Sequence, residues 1–440
     1  MKQANEQLFD YYGKPSLGQA FPLAFQHVVA AIVGCVTPAI IVSNAAKLSP
    51  GDSVFLIQAA LVVAALSTFL QLFPIGNKNG FHIGAALPVI MGVSFAYVPS
   101  MQAIAETSGV PAILGAQIVG AVVALLVGLS IKKLRKLFPP LIAGTVVFTV
   151  GLSLYPTAIN YMAGGVGKPG YGSWQNWLVA LITLTVVVCL NHFTTGLLKL
   201  SSILAGVIVG YIVALFFGMV DFSNLASAGY FQFPAPLHFG LVFEPSACVA
   251  IGLLFAINSI QAIGDFSATT TGAMGRMPED KELQGGIVGY GVSNFVGALL
   301  GGLPTATFSQ NVGIVTTTKV INRIVLALAA GILLVAGLVP KFSGLLTTIP
   351  QCVLGGATVS VFASIAMTGI KLVMTEDMNY RNTSIVGLAV ALGMGVTQAS
   401  ASLGTFPAWA TTIFGKSPVV ITTIVAVFLN IVLPKEIKQK

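Results

Sequence analysis

Apolar residues in this chain come in long runs, with neither the alternation of a half-buried strand nor the single stripe of a surface helix. Fourteen such segments are predicted, near 20–46, 53–74, 80–99, 111–131, 137–158, 175–193, 200–219, 247–268, 284–302, 304–318, 321–340, 345–370, 382–400 and 412–433. Most reach the roughly twenty residues needed to cross a hydrocarbon core of about 30 Å. Segments 80–99 and 304–318 are short and broken, and 382–400 is rich in small polar residues. The pattern predicts an all-α polytopic membrane protein. Residues 1–19 are polar and carry Glu6 and Asp10, so they read as a cytoplasmic tail and not as a cleavable signal peptide.

Composition agrees. Of 440 residues, 55% are hydrophobic and 8% charged, against about 25% charged in a soluble domain, so no sizeable soluble domain is expected. The net charge of +8 is then read by location and implies no nucleic-acid partner. With fourteen spans and both termini cytoplasmic, 17 of 21 basic residues fall on the cytoplasmic side and only Lys47, Lys168, Lys341 and Lys416 outside. The expected location is the cell membrane. The run Lys132–Lys136 reads as a topology signal, and Trp174 and Trp177 as interface anchors. The four cysteines show neither metal spacing nor a disulfide framework, and the motifs of ATP-driven pumps and common hydrolases are missing. No enzyme, cofactor or metal site is expected. His82 reads as a helix-end residue, and His192 and His238 as interfacial ones.

Two segments are punctuated by Gly and Pro: "NGFHIGAALPVIMGVSFAYVP" from residue 79 and "GGLPTATFSQNVGIVTTT" from 301. They open at matching distances into two seven-span halves, 20–219 and 247–433, joined by an extracellular loop 220–246 and followed by a cytoplasmic tail 434–440. Interrupted segments at corresponding places point to an inverted-repeat transporter. The same punctuation also fits ordinary kinked helices, because Gly and Pro are common in membrane spans.

Charge at membrane depth is the sharper clue. Of thirteen acidic residues, only Asp265 lies well inside a span; Arg276 marks the cytoplasmic end eleven residues on, about 16 Å away along a helix. A carboxylate there costs at least about 2.5 kcal/mol on insertion scales, so it faces a cavity or a partner. Gln261 lies one turn earlier on the same face, and Asn258 extends the polar stripe. An amide beside a carboxyl can bind a planar heterocycle through paired donors and acceptors.

"QNVGIVTTTK", Gln310 to Lys319, resembles the signature of the nucleobase–ascorbate transporters (Q/E/P, N, any, G, four of any kind, T, R/K/G), with Gln310, Asn311, Gly313, Thr318 and Lys319 at the fixed positions. "FQHVVA" with Gln26–His27, "GAALPVIMGVSFAYVP" and "GDFSAT" support the resemblance in order and spacing over essentially the whole chain. It implies two inverted seven-span repeats, short extended segments in spans three and ten, a core domain of spans 1–4 and 8–11, a gate domain of spans 5–7 and 12–14, and a homodimer through the gate domain, embedded in lipid. It also implies an elevator-like slide of the core. Carried over residue by residue, Gln310 contacts the base, with Asn311 as the neighbour that holds the site. Phe95 packs on the substrate ring, and His27, Ala96, Asn258, Gly313 and Thr318 support the site. Asp265 matches a second-turn acid in span eight. Where the family generally has a glutamate one turn before it, this chain has Gln261, which cannot titrate. Proton coupling would then fall on Asp265, with sodium coupling or an uncoupled facilitator as alternatives. The implied substrate is a purine such as xanthine, urate, guanine or hypoxanthine. The alternatives are a uracil permease and an anion transporter of the related sulfate-permease fold; the latter would place Asp265 against its anion.

Overall fold

The computed structural model describes residues 6–434 apart from 78–81, 131–138, 223–224, 226–228, 408–409, 412–413 and 416. The basic run 132–136 lies outside the described residues.

Long apolar runs become long helices whose ends carry the capping chemistry. Helix α1 (Leu17–Ala45) starts at a capping box of Ser16 and Gln19, and α2 (Pro50–Leu72) at Ser49, whose Oγ accepts from Asp52 N. A short antiparallel pair follows, β1 (Ile75–Gly76) with β2 (His82–Ile83), then the buried strand β3 (Met91–Val93). A single helical turn, Phe95–Tyr97, leads into α3 (Val98–Leu129). After it come α4 (Pro140–Met162), α5 (Trp174–Phe193), α6 (Gly196–Leu200) and α7 (Ser202–Phe216). The second part brings α8 (Pro245–Ala273), α9 (Asp280–Leu299), strand β4 (Thr305–Thr307) and the ten-residue α10 (Ser309–Thr318). The chain ends with α11 (Arg323–Leu338), α12 (Pro340–Thr347), α13 (Gln351–Val373), α14 (Tyr380–Gln398) and α15 (Pro418–Val432).

Among the described residues, seven helices are long and apolar enough to cross a bilayer, and α11 with α12, bent by 80°, makes up to eight. The other expected segments become different objects. Helices α7 and α15 have 15 residues each, and α9 and α14 have 20 and 19. Segments 80–99 and 304–318 become strand-then-helix units. The loop expected between 99 and 111 is instead helical on both sides of a kink. Gly109 turns the corner at φ 77°, and Pro111 sits in the first turn beyond. The segment expected to end at 340 stops at Leu338, and α12 turns off at 80° because Pro340 opens a new helix.

Packing sorts the helices into two groups. Helices α1, α2, α3, α8, α9, α10 and α11 pack on one another; α4, α5, α7, α13, α14 and α15 form the other group. The most extensive pair in the second group, α4 with α13, is close because it is glycine-lined. A Cβ on Gly369 would come within 2.2 Å of Phe148 N, and one on Gly151 within 2.4 Å of Ala366 N. Among the described residues, hydrogen bonds that join the groups include Asn44 Nδ2 to Tyr161 Oη at 3.1 Å, Thr157 Oγ1 to Gln102 Oε1 at 3.3 Å, and Ser100 to Ser417 at 2.8 Å.

Candidate functional site

Strands β3 and β4 pair antiparallel, Met91 with Thr307, Gly92 with Ala306 and Val93 with Thr305, so residues more than 200 positions apart share one ladder. Ser94 N to Pro304 O (3.0 Å) and Phe308 N to Ile90 O (2.9 Å) extend it at both ends. Irregular backbone at membrane depth needs such internal satisfaction. The ladder also demands a close approach at Gly92, where a Cβ would lie 2.5 Å from Phe308 Cζ and 2.7 Å from Cys35 Sγ. Each strand then runs into a helix at the same place, and the two helix starts meet across the ladder.

A cavity of about 120 Å³ lies where these starts face the second helix group. Its first wall is Ser94, Phe95 and Ala96, then Thr307, Phe308, Ser309 and Gln310, with Gln261 from α8; its second is Val147 and Val150 of α4 with Ser364, Ile365 and Thr368 of α13. Phe95 meets Phe362 of α13 edge-on, with ring centroids 5.4 Å apart. The Ser364 hydroxyl donates to Ser360 O (2.9 Å) and Thr368 to Ser364 O (2.8 Å), so both turn lone pairs, not hydrogens, toward other partners. The side-chain amides of Gln261 and Gln310 have no hydrogen-bond partner among the described residues. No side chain caps the start of α10, which leaves first-turn N–H groups beside Gln310.

The predicted site residues divide into two layers. Phe95, Ala96, Gln261 and Gln310 line the cavity. Asp265 stands directly behind it, buried, accepting from Thr307 Oγ1 at 2.5 Å and Ser309 Oγ at 2.8 Å, two hydroxyls that are themselves on the wall. Asn311 also points away from the cavity. Its Nδ2 donates to the His27 carbonyl and to His27 Nδ1, both at 3.1 Å, which pins α10 to α1. The carbonyl can only accept, so this bond sets which end of the Asn311 amide faces His27. Asn258 is off the wall too, donating to Leu254 O at 3.1 Å. Gly313 is exposed with open space around its Cα, and Thr318 closes the last turn of α10 by donating to Ile314 O at 2.8 Å. Lys319 adopts the left-handed conformation that ends α10, and its ammonium donates to Gly272 O near the end of α8.

Sequence reasoning missed Thr307, Ser309, Ser364 and Thr368. The first two were visible as polar letters just before Gln310. The α13 pair carries no such signal, because isolated hydroxyls are common in apolar helices. His82 sits in β2, not at a helix end, buried with Nδ1 donating to Gly84 O at 2.8 Å. His238 is bonded to Asp52 at 2.8 Å and stacks on Phe55, far from the cavity in sequence and contacts. His192 is exposed in the last turn of α5, Trp174 is exposed at that helix's start, and Trp177 packs against the second helix group. The four cysteines are free, and no group of metal-ligating side chains occurs among the described residues.

A sequence profile described as "Permease family" matches residues 18–402. The uric acid permease PucJ of Bacillus subtilis is 33% identical over 420 residues, covering 94% of this chain and 92% of that protein. The xanthine permease XanQ of Escherichia coli is 31% identical over 453 residues, covering 99% and 96%. The fold is similar to the transmembrane domain of a cyanobacterium bicarbonate transporter, BicA, with a TM-score of 0.62 at 15% identity over 96% of this chain and 100% of that one. These matches make the chain a multi-pass transporter and not an enzyme. The family suggested by its decapeptide is the one to which it belongs: the chain is a member of the permease family that includes xanthine and uric acid permeases.

Proposed function

We propose that the protein is a secondary transporter importing nucleobases, purines first among them, across the cell membrane by proton-coupled, elevator-type alternating access. The reading rests on one observation: two unpaired amides, Gln261 and Gln310, face one cavity between two helix groups, with a single carboxyl behind them. Each amide offers an acceptor and two donors in a plane, which matches the alternating edge of a base. Phe95 packs on the ring face, while Ala96 leaves room for it. The relatives' substrates, uric acid and xanthine, favour purines over uracil.

Coupling follows from the layer behind. Thr307 and Ser309 both donate to Asp265, so a proton arriving on that carboxyl displaces one of them and frees a hydroxyl at the wall beside Gln310. Protonation and substrate contact are thereby linked without a titrating residue at position 261. In this reading the first helix group is the moving core and the second the fixed gate, fourteen spans form two inverted repeats, both termini are cytoplasmic, and the gate carries a homodimer contact in the lipid. The hydrogen bonds between the groups then break and re-form in each cycle.

The test is uptake of labelled xanthine in cells, competed by a panel of purines, uracil and sulfate at two pH values, in the native protein and in Asp265→Asn. Purine competition is expected, with uphill accumulation lost and exchange retained in the variant. Inhibition by sulfate and not by bases would overturn the substrate reading. Uphill uptake by Asp265→Asn would overturn the coupling role.

A further inference from the structure

Helix α10 carries Gln310 yet is only ten residues long, and Ser309, Gln310, Gly313 and Thr317 along it are exposed. Such a helix is positioned from its other face and its ends. The start is held by the ladder and by Asn311 on His27. The far end is tied to α8 by Lys319 on Gly272 O, and the turn beyond it is held by a segment of the chain without a role so far, Gln7–Gly13.

That segment folds into a hook. One 3-10 turn, Gln7–Phe9, is followed by a reversal in which Gly13 N donates to Asp10 O at 3.1 Å and Lys14 N to Gln7 Oε1 at 2.8 Å. Leu8 and Tyr11 are buried. Asn322, fully buried three residues beyond the end of α10's cap, inserts into the hook: Nδ2 lies 3.0, 2.9 and 2.9 Å from the carbonyls of Gln7, Asp10 and Gly13. Its Oδ1 meanwhile accepts from Ile324 N (2.9 Å) and Val325 N (3.4 Å), capping α11. Arg323 N donates to Tyr11 O at 3.2 Å, its guanidinium lies over the Tyr12 ring at 4.7 Å, and Tyr11 Oη donates to Leu72 O of α2 at 2.8 Å. The hook closes only with glycine at 13, where a Cβ would sit 2.2 Å from Gln7 O.

We propose that Asn322 is a positioning residue that, through the Gln7–Gly13 hook, fixes the turn after α10 and so the place of Gln310 in the cavity. This rests on the transport reading above. Asn322→Ser separates the two roles of the side chain, since serine caps α11 but cannot reach three carbonyls. Gly13→Ala opens the hook and leaves Asn322 intact. Both are expected to raise the KM for xanthine uptake about tenfold at unchanged surface abundance, with faster protease cleavage before residue 16. Wild-type KM in both variants overturns the proposal, as does a loss confined to abundance, which marks a merely structural contact. If native protein takes up no base, the function reading fails; the hook then stands or falls on whether Asn322→Ser speeds cleavage in the folded protein.

Discussion

The strand–helix unit around Met91–Val93 and the one around Thr305–Thr307 meet register for register, yet they present opposite chemistry to the cavity. The first offers Phe95 and Ala96, and its Ser94 hydroxyl is occupied in accepting from Ala96 N at 3.2 Å. The second offers Thr307, Ser309 and Gln310, and its hydroxyls lead straight to Asp265. One backbone plan therefore serves twice, once as a shaped apolar platform and once as a polar reader wired to a carboxyl. The difference matters because the two kinds of wall fail differently. A platform fails through shape, costing affinity in proportion to lost contact, whereas a reader fails by leaving a buried polar group unpaired, a steeper loss.

The two walls should differ most at Gln310. Gln310→Ala removes a reader amide with no partner of its own among the described residues. Uptake normalised to surface amount should fall about 100-fold or more, since a site built to hydrogen-bond its substrate discriminates that strongly. A fall of only a few-fold would mean that the second unit is a platform like the first.

Next comes Thr307→Val, nearly isosteric, which deletes one of the two donors to Asp265. Leaving a buried charged acceptor short of a donor costs about 1–3 kcal/mol, or roughly a five- to 150-fold change in an equilibrium. The accumulation ratio should drop more than the exchange rate. Equal drops in both would place Thr307 in binding and not in coupling. On the platform side, Phe95→Leu keeps an apolar wall and loses the edge-on contact with Phe362. That contact is worth about 0.5–1.5 kcal/mol, so KM should rise about two- to tenfold while kcat holds. Competition profiles across purines should shift with it, because shape and not pairing has changed.

How much of this was legible beforehand follows the same division. Gln310 stood out because polar letters in an apolar run are costly, and Asp265 because a carboxylate at depth is costlier still. Their exact layers did not stand out: periodicity puts Gln261 and Asp265 on one helix face, but which of them touches the cavity depends on where β4 passes. The β3–β4 pairing was out of reach, since three-residue strands over 200 positions apart carry no local pattern. The stretch between 99 and 111 falls outside the predicted spans, and only packing decides that it is helical with a kink at Gly109. Ser364 and Thr368 were invisible for the reason that made Gln310 visible. A hydroxyl can satisfy itself on its own helix, as both do, and so costs nothing to carry in a span.

The smallest expected effect lies within the reader unit itself. Gly313 is a fixed position of the decapeptide, yet a Cβ there meets nothing within 4 Å, and its backbone is ordinary α-helix. No steric or conformational demand in this arrangement requires glycine. Gly313→Ala should stabilise α10 by about 0.5–1 kcal/mol, because alanine loses less backbone entropy in a helix. A slightly raised melting temperature with near-native KM is the expected pair of measurements. If instead uptake collapses while the protein stays stable, position 313 must be crowded in a state other than this one. The open face of α10 would then be the surface that closes against a neighbour when the cavity changes sides, and the reader unit would prove mobile where the platform is not.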